Sequence, residues 1–336
     1  MGASAAAVPT MTTPTLAPST LDEINAARAR IAGTVLRSPL VRLHIDAPAE
    51  IWLKLECLQP IGSFKLRGAT NAIQHLAAES PERLTKGVYT ASAGNMAQGV
   101  AWGARSLGIP CTVVVPETAP TTKLAAIERL GARVDKRPFD QWWRVISEHG
   151  DPAMPGTFIH PFADPDVMAG NGTIALEILE DLPEAAAVLV PYGGGGLACG
   201  IAAGVRAAWQ GRAPRVFACE VESASPLDAA LRAGMPTAAS YAPSFVDGIG
   251  SKRVADEMWP LARTLLDGSL VVPVIAVANA VRLLVERVRV VAEGAGAAAV
   301  AAALSSGAPN GPIVCIVSGG NIDTAKLARI LNGDVP

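Results

Sequence analysis

The chain has 336 residues, of which 50% are apolar and only 17% are charged, and its formal net charge is −2. This composition predicts a soluble protein with a large core, built either as two domains or as one large α/β domain with a second lobe. The near-neutral charge and the lack of a basic run argue against a nucleic-acid partner. The longest apolar stretches are too short to cross a bilayer, so no membrane contact is expected.

The N-terminal stretch and the cysteines indicate a cytoplasmic protein. Residues 1–20 are rich in alanine, proline and threonine and lack the basic start of a secretory signal, so we expect a disordered tail there. The five cysteines are scattered through apolar segments and form no CxxC pair, which is typical of reduced, buried thiols. The four histidines also lie far apart along the chain, and no metal site is predicted.

Predicted strands and helices alternate along the chain. The first half contains helix 21–31, strands 39–43 and 51–56, a helix that starts near Lys65, strand 87–91, helix 95–107, strand 111–115, helix 120–130, strand 132–134 and helix 141–149. A Pro/Gly linker at 151–156 is followed by helices 174–182, 197–209, 276–290, 295–304 and 323–331 and by strands 187–190, 216–219 and 313–317. This alternation predicts parallel sheets with helices on both faces.

Ligands bind to sheets of this kind where strands end and helices begin. Four such junctions are rich in glycine, serine and asparagine, and they are therefore the candidate site. They are the turn before Lys65, Ser92–Met96, Gly193–Gly196 and Ser318–Asn321.

Lys65 is the candidate nucleophile. Pro60 and Gly62 predict a turn, and Ser63 is expected to cap the helix that begins there. Lys65 then lies in the first helical turn, where the helix dipole and the apolar Phe64 disfavour the ammonium and lower the lysine pKa. A neutral amine of this kind can attack a carbonyl. On this stretch alone, the commoner interpretation is a surface lysine that follows a turn.

The Gly193–Gly196 loop predicts a phosphate-binding site. Glycines let backbone N–H groups approach an anion closely at the positive end of a helix. It is not a P-loop, because no Lys-Ser/Thr pair follows it. Glu220, at the end of the next strand, is where the ribose-binding acid of an NAD site would lie, although the glycine spacing does not match that motif. A flexible loop is the structural alternative.

The other two junctions offer hydrogen-bonding groups. Ser92 and Asn95 flank bare backbone N–H groups at a helix start, an arrangement that suits a carboxylate or a phenolic oxygen. They could equally be helix-capping residues. Ser318 places a hydroxyl at a strand end. A lysine, a phosphate cup, a carboxylate-binding loop and a hydroxyl together suit pyridoxal phosphate (PLP) better than a nicotinamide.

Seven motifs, in the same order along the chain, resemble those of the threonine/serine dehydratase (ammonia-lyase) and serine racemase family. They are Ser63–Ala69, Thr90–Gly99, Gly172–Glu177, Gly193–Gly196, Val246–Gly248, Glu293–Ala297 and Ser318–Asn321. The resemblance implies a two-lobed α/β fold of PLP fold type II (tryptophan synthase β-like) and a homodimer. It also implies a large PLP-binding domain, formed by 21–84 and 157–336, and a small mobile domain, 85–156.

The resemblance also assigns roles to the site residues. Lys65 holds the cofactor as an imine and, once freed, removes the Cα proton of an amino acid. The other cofactor contacts are Phe64, Asn95 at the 3′-oxygen, Gly193, Gly194, Gly195, Gly196 and Leu197 at the phosphate, Gly248 at the ring face and Ser318 at the pyridine nitrogen. The residues around the substrate carboxylate are Ser92, Ala93, Gly94 and Met96.

The reaction that this resemblance implies is conversion of a β-hydroxy amino acid, such as threonine or serine, to a 2-oxo acid and ammonia. Racemase-like members carry a serine where Ala93 stands, so racemisation is disfavoured. A racemase or a β-replacement synthase of the same fold remains an alternative, as does an NAD-dependent oxidoreductase of a different class.

Three further departures bear on the substrate and on regulation. Met96 replaces the usual histidine, which makes a bulkier substrate a candidate. Trp142 and Trp143 could line such a pocket, although core packing is the commoner role for such a pair. Pro226 replaces an acid of the metal site found in some members, so metal activation is not expected. We expect no regulatory domain after Pro336.

Overall fold

A computed structural model describes residues 16–47, 49–211, 213–305 and 307–336. Residues 1–15 of the predicted disordered tail lie outside these ranges. The Leu16 side chain is buried in the core. The Thr20 hydroxyl accepts a hydrogen bond from the backbone N–H of Glu23, whose carboxylate accepts one from the N–H of Thr20. The predicted tail therefore cannot include residues 16–20.

Helices and strands alternate through the described residues, with boundaries close to most of the predicted ones. The strands are β1 Leu40–Arg42, β2 Ile51–Lys54, β3 Val88–Ala91, β4 Cys111–Pro116, β5 Arg133–Arg137, β6 Thr157–Phe158, β7 Ala187–Pro191, β8 Arg215–Val221, β9 Ser269–Val272 and β10 Ile313–Ile316. The α-helices are α1 Leu21–Ile31, α2 Lys65–Glu79, α3 Asn95–Leu107, α4 Thr121–Arg129, α5 Phe139–Ser147, α6 Pro165–Asp181, α7 Gly196–Ala208, α8 Pro226–Ala233, α9 Trp259–Leu265, α10 Val274–Leu283, α11 Gly294–Ala303 and α12 Thr324–Leu331.

The strands form two sheets that are almost entirely parallel. The larger sheet has the order β1-β2-β10-β7-β8-β9, and its β1–β2 pair is antiparallel. The smaller sheet has the order β5-β4-β3-β6, with parallel pairs. The carboxyl ends of parallel strands share one edge of a sheet, so the loops that follow them converge there. The predicted α/β class with parallel-rich sheets is confirmed.

Alternate residues of the strands face opposite layers of helices. In β7, Val188 and Val190 belong to the apolar cluster of α6 and α7, whereas Ala187 and Leu189 belong to that of α10 and α11. Both faces of the larger sheet are therefore covered, as its apolar strands require. Helix α11 is buried on every side, which explains its alanine-rich sequence. Across the described ranges, none of the helices combines the length and the apolar character needed to span a bilayer.

Several elements differ from the predicted set. The strands β6 and β9 and the helices α8 and α9 were not predicted. Strand β6 has only two residues, which is too few for a periodic pattern. Helix α6 starts at Pro165, well before the predicted 174, because the Asp164 carboxylate caps it by accepting from the N–H of Asp166 and Val167. The predicted helix 276–290 is α10 followed by a π-helical turn, Leu284–Val288.

Helix α2, which begins at Lys65, lies between the two sheets. Its residues Ala69 and Ile73 join the apolar cluster of the smaller sheet. Its other side approaches α6 so closely that a Cβ added at Gly68 would lie 2.7 Å from the Val167 side chain. The division into a large domain and a small mobile domain remains a prediction, and β6 of the smaller sheet begins just beyond the predicted boundary at 156.

Candidate active site

The loop after β10 lies beside the turn before Lys65. The backbone N–H of Phe64 donates to the carbonyl of Ser318 at 3.0 Å. Ser63 forms an isolated antiparallel bridge with Gly319. Two of the four predicted junctions are therefore in direct contact, although they are far apart in the sequence.

The other two junctions lie against this pair. The Asn321 Nδ2 donates to Asn95 Oδ1 at 2.8 Å, which joins the loop after β3 to the loop after β10. The Asn95 Nδ2 donates to Glu293 Oε1 at 2.7 Å, and that oxygen is 3.8 Å from where a Cβ of Gly248 would lie. A Cβ at Gly193 would in turn lie 3.2 Å from the carbonyl oxygen of Gly248. The structure thus brings together all four loops.

Lys65 is the first residue of α2, and its side chain is half-buried. The Nζ donates to the carbonyl oxygen of Pro161 at 2.5 Å and lies 5.1 Å from the centre of the Phe64 ring. Burial lowers the pKa of Lys65 to about 8, because the ammonium loses its hydration and gains no carboxylate partner among the described residues. About a tenth of such an amine is neutral at pH 7.

The low pKa of Lys65 predicts an unusual pH dependence of its reactivity. We expect trapping of Lys65 by a small aldehyde and borohydride to increase with pH and to level off above about 8, because only the neutral amine adds to a carbonyl. Peptide mass spectrometry measures the yield at this residue. The control is Nα-acetyl-lysine amide, whose reaction should still increase towards about pH 10. A profile at Lys65 that follows this control would contradict burial of the amine.

Ser63 does not cap α2, contrary to the prediction. The N-cap position is taken by Phe64, whose φ of −54° and ψ of −23° are already helical and which makes no side-chain cap. Ser63 is instead held by its bridge to Gly319, and its hydroxyl is buried with no hydrogen-bond partner among the described residues. A buried hydroxyl in this state is available to a bound ligand.

The Gly193–Gly196 loop joins β7 to α7, and the described residues provide no acceptor for its backbone N–H groups at the start of the helix. Gly195 is the N-cap with φ +94°, a conformation that favours glycine. A side chain at Gly194 would collide with the Phe162 ring. Together with the N–H of Leu197, this loop has the geometry of an anion cradle at the positive end of a helix.

Asn95 and Ser92 do not cap α3, so that alternative is wrong. The N-cap is Gly94, and Ser92 Oγ accepts from its N–H at 3.2 Å. The Asn95 amide instead crosses to Glu293 and Asn321. If the Asn95 amide were flipped, its oxygen would face the Glu293 carboxylate and its NH₂ would face the NH₂ of Asn321. The hydrogen bonds therefore fix the orientation of the amide. One N–H of Asn95 remains for a ligand.

Glu293 is a site residue to which the sequence motifs gave no role. Burial raises the pKa of Glu293 to about 7, although the hydrogen bond from Asn95 acts in the opposite direction. A side chain at Gly319 would collide with its carboxylate. Glu293 is the N-cap residue of the apolar α11, and an acid directly before an all-apolar helix is the signal that could have identified it.

Ser318 and Gly248 each neighbour a residue of the site, Phe64 and Glu293 respectively. Ser318 follows β10 and is 3% exposed. Gly248 lies in a short 3₁₀ turn, and a Cβ there would lie 2.9 Å from the Cβ of Ala295. A side chain at this position would push the turn away from α11. Their assigned contacts with a cofactor remain predictions.

The residues predicted near the substrate differ in what they present to the site. The Met96 side chain is 2% exposed and packs in the apolar cluster of the smaller sheet, with Ala93 at its edge. Any contact of Met96 with a substrate must therefore come from its backbone. Trp142 packs against the cluster that also contacts Phe162, whereas Trp143 is 47% exposed. Trp142 thus has a packing role, whereas Trp143 is exposed to solvent.

Glu220 is fully engaged in capping α8. Its two carboxylate oxygens accept from the backbone N–H groups of Leu227 and Asp228, each at 2.8 Å, and from the Ser269 hydroxyl at 2.6 Å. Glu220 is also 0% exposed. It therefore has a structural role at the start of α8 and not that of a ribose-binding acid, so the NAD-binding alternative is wrong.

His149 and His160 are neighbours in the fold, although they are separated in the sequence. Their rings stack with centres 4.5 Å apart, and His149 Nε2 lies 2.5 Å from Glu257 Oε2. These three side chains offer ligand atoms within 4.8 Å of one another. However, the two rings lie in nearly parallel planes, 24° apart, so their lone pairs do not converge on one ion.

A buried ionic network lies under the first turn of α2 and was not predicted. Arg67, which is 1% exposed, donates to both carboxylate oxygens of Glu56 and to both of Glu177. Lys54 Nζ lies 2.6 Å from Glu177 and 2.5 Å from the carbonyl of Ser38. Two cations thus balance two anions, so the network carries no net charge. It ties α2 to β2 and α6 and so fixes the position of Lys65.

The residues around Lys65 fit pyridoxal phosphate. The cofactor requires an amine for its aldehyde, and Lys65 provides one with a lowered pKa. It requires a cradle for its phosphate, and the Gly193–Gly196 loop supplies one. Beside these two features, the hydroxyls of Ser63 and Tyr192 are buried and have no partner in the part of the chain that the structure describes, as expected where a polar group binds.

Comparisons with known proteins agree with this fit. Residues 31–319 match the family described as pyridoxal-phosphate dependent enzyme. The chain is 40% identical to the L-threonine ammonia-lyase of Thermotoga maritima, over 93% of this chain and 78% of the relative. It is 35% identical to the catabolic L-threonine dehydratase of Staphylococcus aureus, over 93% and 91%.

A solved structure shows the same architecture. Maize serine racemase superposes with a TM-score of 0.83 at 32% identity, covering 94% of this chain and 98% of that one. The motif order, the lysine and glycine-loop geometry and these matches agree with one another. The chain is therefore a member of the pyridoxal-phosphate-dependent enzyme family, with the fold type II architecture of threonine/serine dehydratases and serine racemases.

Proposed function

We propose that the protein is an ammonia-lyase that converts a β-hydroxy amino acid, first of all L-threonine or L-serine, to a 2-oxo acid and ammonia. The relatives named L-threonine ammonia-lyase and L-threonine dehydratase support this reaction. The observation that carries the proposal is the half-buried Lys65 amine, which donates to the Pro161 carbonyl and has a pKa lowered to about 8. Such an amine can both hold an aldehyde and act as a base.

Bound PLP supplies an electron sink for the negative charge that develops at Cα of the amino acid. Lys65, the glycine loop with Leu197, Asn95 and Ser318 are the residues that would hold it. The free Lys65 amine takes the proton from Cα, and its lowered pKa suits a base that works near neutral pH. The Pro161 carbonyl orients this amine, since it accepts a hydrogen bond from Nζ.

Ser318 and Ala93 favour elimination over the alternatives. Ser318 is neutral, so it cannot keep a pyridine nitrogen protonated as a carboxylate would, and less charge is then delocalised into the ring. Ala93 has no proton to deliver to the opposite face of Cα, which disfavours racemisation. We propose that Ser92 and the backbone N–H groups of Gly94 and Met96 bind the substrate carboxylate.

We further propose a cytoplasmic homodimer with a small mobile domain at 85–156. The five cysteines are free and buried, which supports a reducing compartment. The Asn95 amide joins the proposed small domain to the loop after β10, so motion of that domain would open the site.

A panel of amino acids tests the reaction. The holoenzyme is incubated with L-threonine, L-serine and aryl β-hydroxy amino acids, and ammonia and 2-oxo acid are quantified together. We expect the two products in equal amounts from at least one of these substrates. Matched D-amino acid and β-replacement assays serve as controls. Formation of D-serine or of a replacement product without ammonia would support the racemase or synthase alternative and overturn the lyase.

A further inference from the structure

His160 is a buried histidine to which the proposed reaction gives no role. It follows β6 and is 3% exposed. Its Nδ1 accepts from the backbone N–H of Ala163 at 2.8 Å and from that of Phe162 at 3.3 Å, and its Nε2 lies 3.3 Å from the carbonyl oxygen of Ile146. Since an N–H only donates and a carbonyl only accepts, the ring is neutral with its proton on Nε2.

The charge state of this ring does not change over the physiological range. Burial, with further contributions from His149 and Lys65, lowers the pKa of His160 to about 3. Glu257 pairs with His149 and not with His160. His160 therefore acts as a fixed hydrogen-bond acceptor and not as a proton carrier.

The three residues that follow His160, here called the 161–163 segment, contact both predicted anchors of the cofactor. The Pro161 carbonyl accepts from the Lys65 amine at 2.5 Å. The Phe162 ring occupies the space that a side chain at Gly194 would fill, so it lies against the phosphate loop. A shift of this segment would move both anchors at once.

The hydrogen bonds to His160 hold this segment in place. In the described part of the chain, the backbone N–H groups of Phe162 and Ala163 have no acceptor other than His160 Nδ1. The Phe162 ring also packs edge-on against the imidazole, with centres 4.6 Å apart. Loss of Nδ1 would leave two adjacent backbone donors unsatisfied close to the site.

We infer that His160 is a positioning residue, which fixes the 161–163 segment and thereby sets both the Lys65 amine and the phosphate loop for cofactor binding. This inference rests on the proposed role of Lys65. It assigns no proton transfer to His160.

Two substitutions at position 160 separate the acceptor from the bulk of the ring. Asparagine places its Oδ1 as many bonds from Cα as His160 Nδ1 and can accept from the same N–H groups, whereas leucine fills similar space without an acceptor. Val281→Ala is the matched control, because Val281 is a buried residue of α10 whose apolar cluster, among the described residues, does not include the 161–163 segment. It reports loss of stability alone.

The measurement is the dissociation constant of PLP for each protein, obtained from absorbance titrations at a temperature well below unfolding. We expect His160→Leu to weaken binding by at least about tenfold, and His160→Asn to stay within about threefold of the unsubstituted protein. Val281→Ala should bind PLP normally despite a lower Tm. Equal binding by His160→Leu and the unsubstituted protein, or equal losses in both His160 variants, would overturn the inference.

The same titration distinguishes this inference from the proposed reaction. If PLP binds the unsubstituted protein and His160→Leu weakens it, but no amino acid yields ammonia, the reaction is wrong and the positioning role stands. If ammonia is released and His160→Leu binds PLP normally, the positioning role is wrong and the reaction stands.

Discussion

Replacement of Lys65 by alanine is expected to remove the absorbance band of the bound cofactor near roughly 410–420 nm, because no amine is left to hold the aldehyde. It should also lower kcat for ammonia release by at least about 10³-fold, since the same amine is the proposed base at Cα. Spectra of the dialysed protein and single-turnover assays measure the two effects. We expect this loss of activity to be the largest caused by any single substitution, because Lys65 Nζ both holds the aldehyde and acts as the base.

A control separates loss of the amine from general damage. Lys86→Ala removes an exposed lysine from the segment before β3 and should leave both the band and turnover unchanged. Added methylamine should restore part of the activity of Lys65→Ala, because a small amine can enter the space left by the side chain. Ammonia release at the normal rate by Lys65→Ala would refute the role of Lys65.

The local features of the fold could be predicted because they depend on short patterns. Helix α3 lies where its apolar spacing predicts it, and β7 is followed by the glycine loop as expected. The start of α6 was missed although Asp164 and Pro165 are an ordinary capping signal. The strands β6 and β9 could not be found, because such short strands form through pairing with distant neighbours.

The site residues also divide into those that short sequence patterns identify and those that only the tertiary fold brings together. Lys65 and the Gly193–Gly196 loop carry sequence signals of their own, so their chemistry could be inferred in advance. The partners of Asn95 could not, because Glu293 and Asn321 reach it only through the tertiary fold. Burial of the Lys65 amine beside Pro161 likewise depends on contacts between distant segments.

Arg67→Ala is expected to destabilise the fold by about 3–5 kcal/mol, which is the usual consequence of leaving buried charges unpaired. Glu56 and Glu177 would keep Lys54 as their only cationic partner in the network described above. For a chain of this size the change corresponds to a fall in Tm of about 4–7 °C. Urea denaturation gives the free energy of unfolding, and calorimetry gives Tm. A loss below about 1 kcal/mol would contradict the buried network.

Two control variants show whether charge or geometry is responsible. Arg28→Ala removes a partly exposed pair with Glu180 and should cost at most about 1 kcal/mol, because solvent screens it. Arg67→Lys keeps the charge but cannot bridge Glu56 and Glu177 with a planar fork, so an intermediate loss is expected.

The pH dependence of the Arg67→Ala effect has a defined sign. Burial tends to raise the pKa of Glu56, but Arg67 outweighs it and holds that pKa below its usual value. In the unsubstituted protein this stabilisation is present above the unfolded pKa of about 4.5 and is lost as the pH falls through the folded pKa. Without Arg67, burial raises the pKa of Glu56. As the pH falls, Glu56 is therefore protonated in the variant before it is in the unsubstituted protein, which removes the unpaired buried charge. The difference in unfolding free energy between the two proteins should therefore shrink as the pH falls from 7 towards about 4. A constant difference over this range would mean that Arg67 acts through packing alone.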